Sequence, residues 1–189
     1  MPRQPHLLTV HTAVVSAAVT AVPGIVAILT GQLLLFPSLG PTAVMLSYEP
    51  AHPSMRTYNV VVAHIVGLLS GFAAVLLFGL ANAPSVFQLR VLSAPRVAAA
   101  ALAILLAVLL ELALDATHAP AASTTLLAAL GSFRPTWHDG ITVFAGVLAV
   151  AIAGELGRRV QHASRRSAGM DDAQPTNRSV HSLGKDGDA

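Results

Sequence analysis

Three side chains that could do acid–base chemistry stand close together in one apolar stretch of the chain. Between residues 97 and 133 there is no Lys or Arg, and the only charged residues are Glu111 and Asp115, just ahead of His118. Their spacing predicts that all three lie on one face of a helix. Carboxylates are costly in a hydrophobic segment of this length unless they face partners or water. We therefore interpret Glu111 and Asp115 as a proton-titratable pair, with Glu111 as the residue that would take up a coupling proton.

A plainer interpretation of the same residues remains open. Asp115 and His118 could lie at the outer membrane interface, where water satisfies them, so that only Glu111 is buried. Glu111 lies deeper in the apolar stretch, which favours a functional role for it over a merely solvated one.

The composition indicates that the solvent of this chain is lipid. Hydrophobic residues make up 54% of its 189 residues, charged residues only 11%, and the mean hydropathy is +0.67. We predict an integral membrane protein, and neither a nucleic-acid-binding nor a soluble protein. There is no cysteine, and two apolar-segment histidines do not make a metal site, so we expect no metal and no cofactor. No nucleophile and base can be paired, so we do not expect an enzyme.

The apolar stretches divide into four that are long enough to span a bilayer and two that are too short. The long stretches are residues 7–36, 59–80, 97–117 and 140–157. The short ones are residues 37–46 and 119–130, each bounded by a proline and a polar loop. This predicts an all-α membrane protein with four transmembrane helices and two re-entrant or half-helices.

The elements repeat in the same order in both halves, which predicts an internal duplication. If the short helices do not cross the membrane the repeats are parallel, and if they do the repeats are inverted. Arginines at positions 3, 90 and 96 and four after the last span favour both termini and the middle loop on the cytoplasmic side, hence two re-entrant segments. We expect a multi-pass protein of the bacterial inner membrane. Residues 1–160 would form its membrane domain and residues 161–189 a disordered cytoplasmic tail.

The two short helices open in the same way, with small and hydroxyl-bearing residues. Gly40 and Thr42 stand at the start of the first, Ser123 and Thr124 at the start of the second. Such starts leave backbone N–H groups unpaired and direct the positive ends of helix dipoles toward one place, which favours a small anion. Alternatively, the hydroxyls only cap helices and the small residues only permit close packing.

Several of these segments resemble one known family. Residues 118–124 (HAPAAST) are similar to the His-Pro-Pro-Ala-Gly-Ala-Thr signature of the HPP family of integral membrane proteins. Residues 39–44 (LGPTAV), with Asn59 and His64, resemble that family's Phe-Gly-Ala-Ser-Ala-Val, Pro-Arg-Asn and Gly-Gly-His. The likeness covers residues 12–157, with departures at Ala119, Ala122 and Tyr58. It implies a small four-span protein of bacterial type, and family members in cyanobacteria and chloroplasts have been linked to nitrite transport.

These observations lead to one leading hypothesis and one rival. The leading hypothesis is a transporter or channel for a small anion, nitrite by the resemblance, working as a homo-oligomer in the bilayer. Its expected substrate-binding residues are Gly40, Thr42, Asn59, His64, His118, Ser123 and Thr124. The rival is a structural or regulatory subunit whose polar side chains hold helices together. A water-accessible vestibule ending at His118 would favour transport, and a sealed, fully hydrogen-bonded interior would favour the rival.

Overall fold

The computed structural model describes residues 5–167, and within this range the chain is helical with no strand. The helices are α1 (Pro5–Thr30), α2 (Leu39–Tyr48), α3 (Thr57–Leu77), α4 (Val86–Leu89), α5 (Ala94–Ala113), α6 (Ala121–Ala129) and α7 (Trp137–Ser167), with a 3₁₀ turn at Pro53–Met55. Four of them contain segments that are long and apolar enough to cross a membrane: Thr12–Thr30, Thr57–Leu77, Ala94–Ala113 and Trp137–Arg159. The prediction of four spanning helices is confirmed.

The two short helices are also present, as α2 and α6. α2 has 10 residues and α6 has 9, so each is about 15 Å long at the helical rise of 1.5 Å per residue. That is about half of the ~30 Å hydrocarbon thickness. They are half-helices, and each is preceded by non-helical chain, residues 33–36 before α2 and 116–118 before α6.

The first long apolar stretch, residues 7–36, does not form a single helix. α1 continues through Pro23 but ends at Thr30, because Gly31 takes a left-handed conformation with φ of +67°. The chain then turns back along the same helix, and the Leu35 side chain lies beside Gly24. A Cβ at position 24 would lie 3.3 Å from Leu35 Cδ2, so a larger residue there would require a small shift of the Leu35 side chain.

The contacts between helices give the direction of each one. We call the end where α2 finishes and α3 begins the Tyr48 end, and the opposite one, where α3 finishes, the Leu77 end. Thr30 and Trp137 line one cavity, and Trp137 shares another with Phe72. α1 therefore finishes, and α7 starts, at the Leu77 end. Further along α7, Gly154 lies against Leu46 near the end of α2, so α7 runs toward the Tyr48 end.

The half-helices run in opposite directions, and each packs along a long helix of the other half. α6 runs parallel to α3, with Gly67 beside Ala121 and Gly71 beside Ala128. α6 finishes at the Leu77 end, where the Arg96 guanidinium near the start of α5 binds the Ala129 carbonyl. α2 lies along α7 in the same way but points toward the Tyr48 end.

This arrangement corrects the preference for re-entry over crossing. The chain passes from the Leu77 end to the Tyr48 end through residues 31–48, and back through residues 114–130. Each half therefore crosses three times, α1–α2–α3 and α5–α6–α7, and every helix runs opposite to its counterpart. The repeats are inverted, as in many transporters. The middle loop lies at the Leu77 end, opposite to the end toward which α7 runs. We had expected the middle loop and both termini on the same side.

The proposed domain boundary lies close to a structural one. One compact unit extends to Gly157, and the residues from Arg158 onward form a second unit. Of that second unit the structure describes only the end of α7, which continues past the expected boundary at residue 160 to Ser167. The expected disorder of the tail concerns residues 168–189, which lie outside the described residues.

The crossing of the half-helices can be tested by labelling, because the chain has no cysteine of its own. Gln32 and Ala51 are exposed residues in two different loops, and Gln88 is an exposed residue of the short helix α4. We expect an impermeant maleimide to label Gln32→Cys and Gln88→Cys from one side of oriented vesicles, and Ala51→Cys from the other. Labelling of Gln32→Cys from the same side as Ala51→Cys would mean that α2 re-enters.

The packing of α6 on α3 predicts which glycine cannot be replaced. A Cβ at Gly71 would lie 2.5 Å from Ala128 Cβ and 2.9 Å from the Thr125 carbonyl oxygen, whereas one at Gly140 would meet nothing within 4 Å. We expect Gly71→Ala to lower the free energy of unfolding in detergent by about 1–3 kcal/mol, the usual cost of overpacking. Gly140→Ala is the control and should leave it unchanged or raise it by up to about 1 kcal/mol. Equal stability of both variants would contradict the close approach of α3 and α6.

Candidate functional site

The beginnings of the two half-helices meet in the interior of the bundle around two histidines. Ser38 precedes α2 and Thr42 lies in its first turn, His118 precedes α6 and Thr124 lies in its first turn, and His64 comes from α3. All five side chains are fully buried. The expectation that the half-helix starts face each other is confirmed. This meeting requires helices that begin in the interior of the bundle. A helix that spanned the whole bilayer would not begin there.

The five side chains form one continuous set of hydrogen bonds. Ser38 Oγ lies 2.7 Å from Thr124 Oγ1, which lies 2.6 Å from His64 Nδ1. His64 Nε2 lies 3.0 Å from Thr42 Oγ1, which lies 3.2 Å from His118 Nε2. The last ring nitrogen, His118 Nδ1, lies 3.1 Å from the Ser54 carbonyl oxygen. We call this set, from Ser38 to His118, the hydroxyl–imidazole chain.

The end of this chain at Ser54 determines the tautomer of both rings when they are neutral. A carbonyl oxygen can only accept, so His118 Nδ1 carries the hydrogen and Nε2 accepts from the Thr42 hydroxyl. Thr42 has one hydroxyl hydrogen, so the bond to His64 must be donated by the His64 Nε2–H group. His64 Nδ1 then accepts from Thr124.

The last bond follows from the same count of hydrogens. The Thr124 hydroxyl hydrogen is used toward His64, so Thr124 Oγ1 accepts from the Ser38 hydroxyl. Every group in the neutral chain thus donates once, and all five bonds run in one direction.

The backbone N–H groups at the half-helix starts are not unpaired, contrary to expectation. Leu39 and Gly40 donate to the carbonyls of Phe36 and Pro37. The first three residues of α6 likewise donate to the three residues before it, Ala121 to His118, Ala122 to Ala119 and Ser123 to Pro120. A tight turn before each helix therefore occupies the amides. The donors that face the shared interior are hydroxyls and imidazoles.

The acidic residues do not share one helix face with His118. α5 ends at Ala113, and Asp115 has a left-handed backbone with φ of +50°, so the helical periodicity stops between Glu111 and His118. Asp115 is exposed. Glu111 is buried, and its carboxylate accepts the backbone N–H of His118 at 3.3 Å. Glu111 thus contacts the site through the His118 backbone.

Three of the other expected binding residues lie outside the hydroxyl–imidazole chain. Asn59 donates from its amide to the Thr117 carbonyl at 3.3 Å, which anchors the loop that carries His118. Tyr58 supports the same loop, since its hydroxyl donates to the Leu114 carbonyl. Ser123 is only half-buried. Gly40 has open space where a Cβ would lie, so no close approach requires a glycine there.

Sequence reasoning missed two partners in the interior. Ser38 lies outside the helix, beside Pro37, and no sequence pattern marks it as a site residue, although a serine just before a helix commonly caps it. Its hydroxyl here reaches Thr124 of the other half instead. Ser54 contributes its backbone carbonyl, which accepts from His118, and no sequence pattern indicates such a contact.

The five side chains of the hydroxyl–imidazole chain are closed off from solvent in this conformation. Within residues 12–159, Ser70 Oγ is the one buried side-chain polar atom without a hydrogen-bond partner. His118 is fully buried, and a cavity of ≈ 470 Å³ between α3 and α7 includes His64 in its lining. The part of the chain that the structure describes holds no cluster of three or more His, Cys, Asp or Glu residues suited to a metal ion.

The fold and the site together define a multi-pass α-helical membrane protein with inverted repeats and paired half-helices. The chain belongs to the HPP family, because the family's "HPP, transmembrane region" matches residues 1–167. The resemblance seen in the half-helix motifs is thereby confirmed. No curated protein and no solved structure matches the chain.

The tautomers can be measured directly by ¹⁵N NMR of the histidine rings in lipid. We expect the ring hydrogen on Nδ1 in His118 and on Nε2 in His64, because the Ser54 carbonyl can only accept. The exposed His138, whose side chain is 60% accessible, is the reference ring. A hydrogen on Nε2 of a neutral His118 would show that the chain of bonds does not run as assigned.

Proposed function

We propose that this protein is a transporter or channel for a small anion, nitrite on the family resemblance. The anion would bind where the two half-helices meet, among Thr42, His64, His118 and Thr124. The observation that carries the proposal is this meeting of two helix starts around two histidines in the middle of an apolar bundle. Polar and ionisable groups at such depth are expensive and are by default functional.

The charges and donors at the meeting point suit an anion. Both half-helices direct the positive ends of their dipoles there, and no carboxylate side chain belongs to the hydroxyl–imidazole chain. Hydroxyl hydrogens can rotate toward a ligand, and His64 offers its Nε2–H group. A small planar anion could replace the Thr42–His64 bond and accept the His64 Nε2 hydrogen together with the Thr42 hydroxyl hydrogen.

The arrangement of the repeats gives such a site a way to open. Residues from both halves contribute to the hydroxyl–imidazole chain, so the site lies between the repeats, where alternating-access carriers bind their substrates. The cavity between α3 and α7 lies between helices of the two halves, and its lining includes His64. Separation of the halves at this cavity would expose the histidines. The closed-off hydroxyl–imidazole chain then corresponds to an occluded state.

The Leu77 end offers a polar approach to the bundle. A cavity of ≈ 720 Å³ there is lined by two arginines and one carboxylate, Arg96, Arg134 and Asp139, with Asn82 and Gln88 among the other residues. The basic side chains would attract an anion. Arg56 lies at the Tyr48 end, toward which α7 runs, and Arg158, Arg159, Arg165 and Arg166 belong to the last turns of α7. We propose that the Tyr48 end faces the cytoplasm of a bacterial cell, with both termini there. We also propose a homo-oligomer, because one chain provides few walls for a conduction path.

The rival function has one observation in its favour. The hydrogen bonds of the interior are almost fully satisfied, as a purely structural network requires. A structural role does not account for two buried ionisable rings, however, because hydroxyl and amide side chains bond membrane helices together without the cost of burying an ionisable group. The two functions differ in whether the protein moves nitrite.

Transport and its dependence on the site can be tested with the full chain in liposomes. We expect nitrite uptake above that of protein-free vesicles. Thr124→Val should lower the rate of uptake about tenfold or more, because it removes a buried hydroxyl whose hydrogen bonds are worth at least ~1.4 kcal/mol. Thr124→Ser should retain uptake. The control is Thr30→Val, because the Thr30 hydroxyl is exposed and bonds only within its own helix.

Two results would contradict the proposal. Wild-type vesicles that take up nitrite no faster than protein-free vesicles would favour the structural subunit. Thr124→Val that transports like the wild type would remove the meeting point of the half-helices from the path.

A further inference from the structure

Thr42 Oγ1 has one more neighbour than the neutral hydroxyl–imidazole chain uses. Besides His64 Nε2 at 3.0 Å and His118 Nε2 at 3.2 Å, it lies 3.2 Å from the Ser38 carbonyl oxygen. A hydroxyl can make three hydrogen bonds, one donated and two accepted. Thr42 is therefore positioned to use its full capacity.

Three bonds at Thr42 require three hydrogens. The Ser38 carbonyl has none to give, so the Thr42 hydroxyl must donate to it, and both histidines must then donate to Thr42 from Nε2. His118 Nδ1 already carries a hydrogen, because it faces the Ser54 carbonyl. All three bonds can therefore exist together only when His118 carries a hydrogen on both nitrogens, that is, one proton more than the neutral ring.

The protonated state differs from the neutral one by one added hydrogen, on His118 Nε2, and by the direction of the Thr42 hydroxyl hydrogen. In the neutral state the Thr42 hydroxyl donates to His118. In the protonated state it donates to the Ser38 carbonyl and accepts from both rings. No heavy atom has to move, and His64 keeps its tautomer and its bond from Thr124 in both states.

We propose that His118 is the proton-binding residue of this site and that one proton travels with each anion. This inference rests on the proposed function. A proton from solution forms a bond to His118 Nε2 as the anion enters, and the same bond breaks as both leave on the other side. The site thus carries a neutral pair, and transport is an electroneutral symport.

The physical reason for the coupling is the medium. A lone anion in the middle of an apolar bundle is costly, and an adjacent imidazolium offsets its charge. Binding of one ion therefore favours binding of the other, by the same factor in both directions. Proton uptake and anion uptake become a single event.

Few other titratable groups face His118. α2 and α6 present hydroxyls, the 3₁₀ turn presents the Ser54 carbonyl, and α3 presents His64, whose ring centre lies 5.4 Å away. From α5, Glu111 accepts the His118 backbone N–H. We assign Glu111 the role of positioning His118, in place of the expected role as the coupling residue.

The test counts protons and nitrite ions in the same vesicles. The full chain is placed in liposomes at about pH 8, where little free nitrous acid is present to diffuse through lipid, and protein-free vesicles are subtracted. Nitrite is measured chemically and protons with an enclosed pH dye, while potassium and valinomycin set the membrane potential. We expect one proton per nitrite and a rate that does not respond to the potential.

The variants locate the proton. His118→Gln should move nitrite without protons and become sensitive to the potential, whereas Glu111→Gln, which retains an acceptor for the His118 amide, should still carry one proton per nitrite. His138→Gln, at the exposed start of α7, is the control and should behave like the wild type. Independently, saturating nitrite should place hydrogens on both ring nitrogens of wild-type His118 in ¹⁵N NMR, which requires no variant to fold.

Each contrary outcome overturns a different statement. Nitrite movement without protons in the wild type overturns the symport and leaves the proposed function intact. Loss of protons in Glu111→Gln with retention in His118→Gln returns the role to Glu111. A neutral His118 at saturating nitrite overturns the assignment whether or not the variants fold. If nitrite does not move at all, the proposed function and this inference fall together.

Discussion

The structure depends on how two interruptions of the chain inside an apolar bundle are satisfied. In lipid, backbone polar groups have no water to bind, so non-helical chain is tolerated only where protein surrounds it. Here the turns before α2 and α6 bond their own first-turn amides, and the side chains at those turns bond each other. The side chains at the start of each half-helix find their hydrogen-bond partners at the start of the other, and the inverted repeats bring both starts to the same place.

The two histidines are the ionisable groups of this meeting point. Their ring nitrogens face partners of unequal kind, a carbonyl at one end and hydroxyls elsewhere, so the order of donors in the chain is determined by one backbone oxygen. Thr42 contacts both rings, and its hydroxyl has a second acceptor in the Ser38 carbonyl, so the direction of hydrogen-bond donation can change there. A site of this kind can store a proton without repacking, which is a useful property for a carrier whose substrate is charged.

Much of this could be predicted from the sequence, and the part that could not has a physical cause. Hydropathy located the four spans, and the recurrence of small and hydroxyl-bearing residues located both half-helices, with Thr42, His64, His118 and Thr124 among the candidates. The error at Asp115 came from extending a helical periodicity past the point where the backbone becomes left-handed. The preference for re-entry came from counting arginines, which cannot distinguish a half-helix that turns back from one whose crossing is completed by non-helical chain. Ser38 and the Ser54 carbonyl act across the fold, and local patterns do not reveal such partners.

The most direct test of the account is the distance between bound nitrite and the two buried histidines. Nitrite labelled with ¹⁵N can be bound to the protein in lipid, with ¹³C in the histidine rings, and dipolar couplings measured by solid-state NMR. We expect couplings from nitrite to the rings of both His64 and His118 and none to the exposed His138. Nitrite that is transported but shows no coupling to either buried ring would contradict the account.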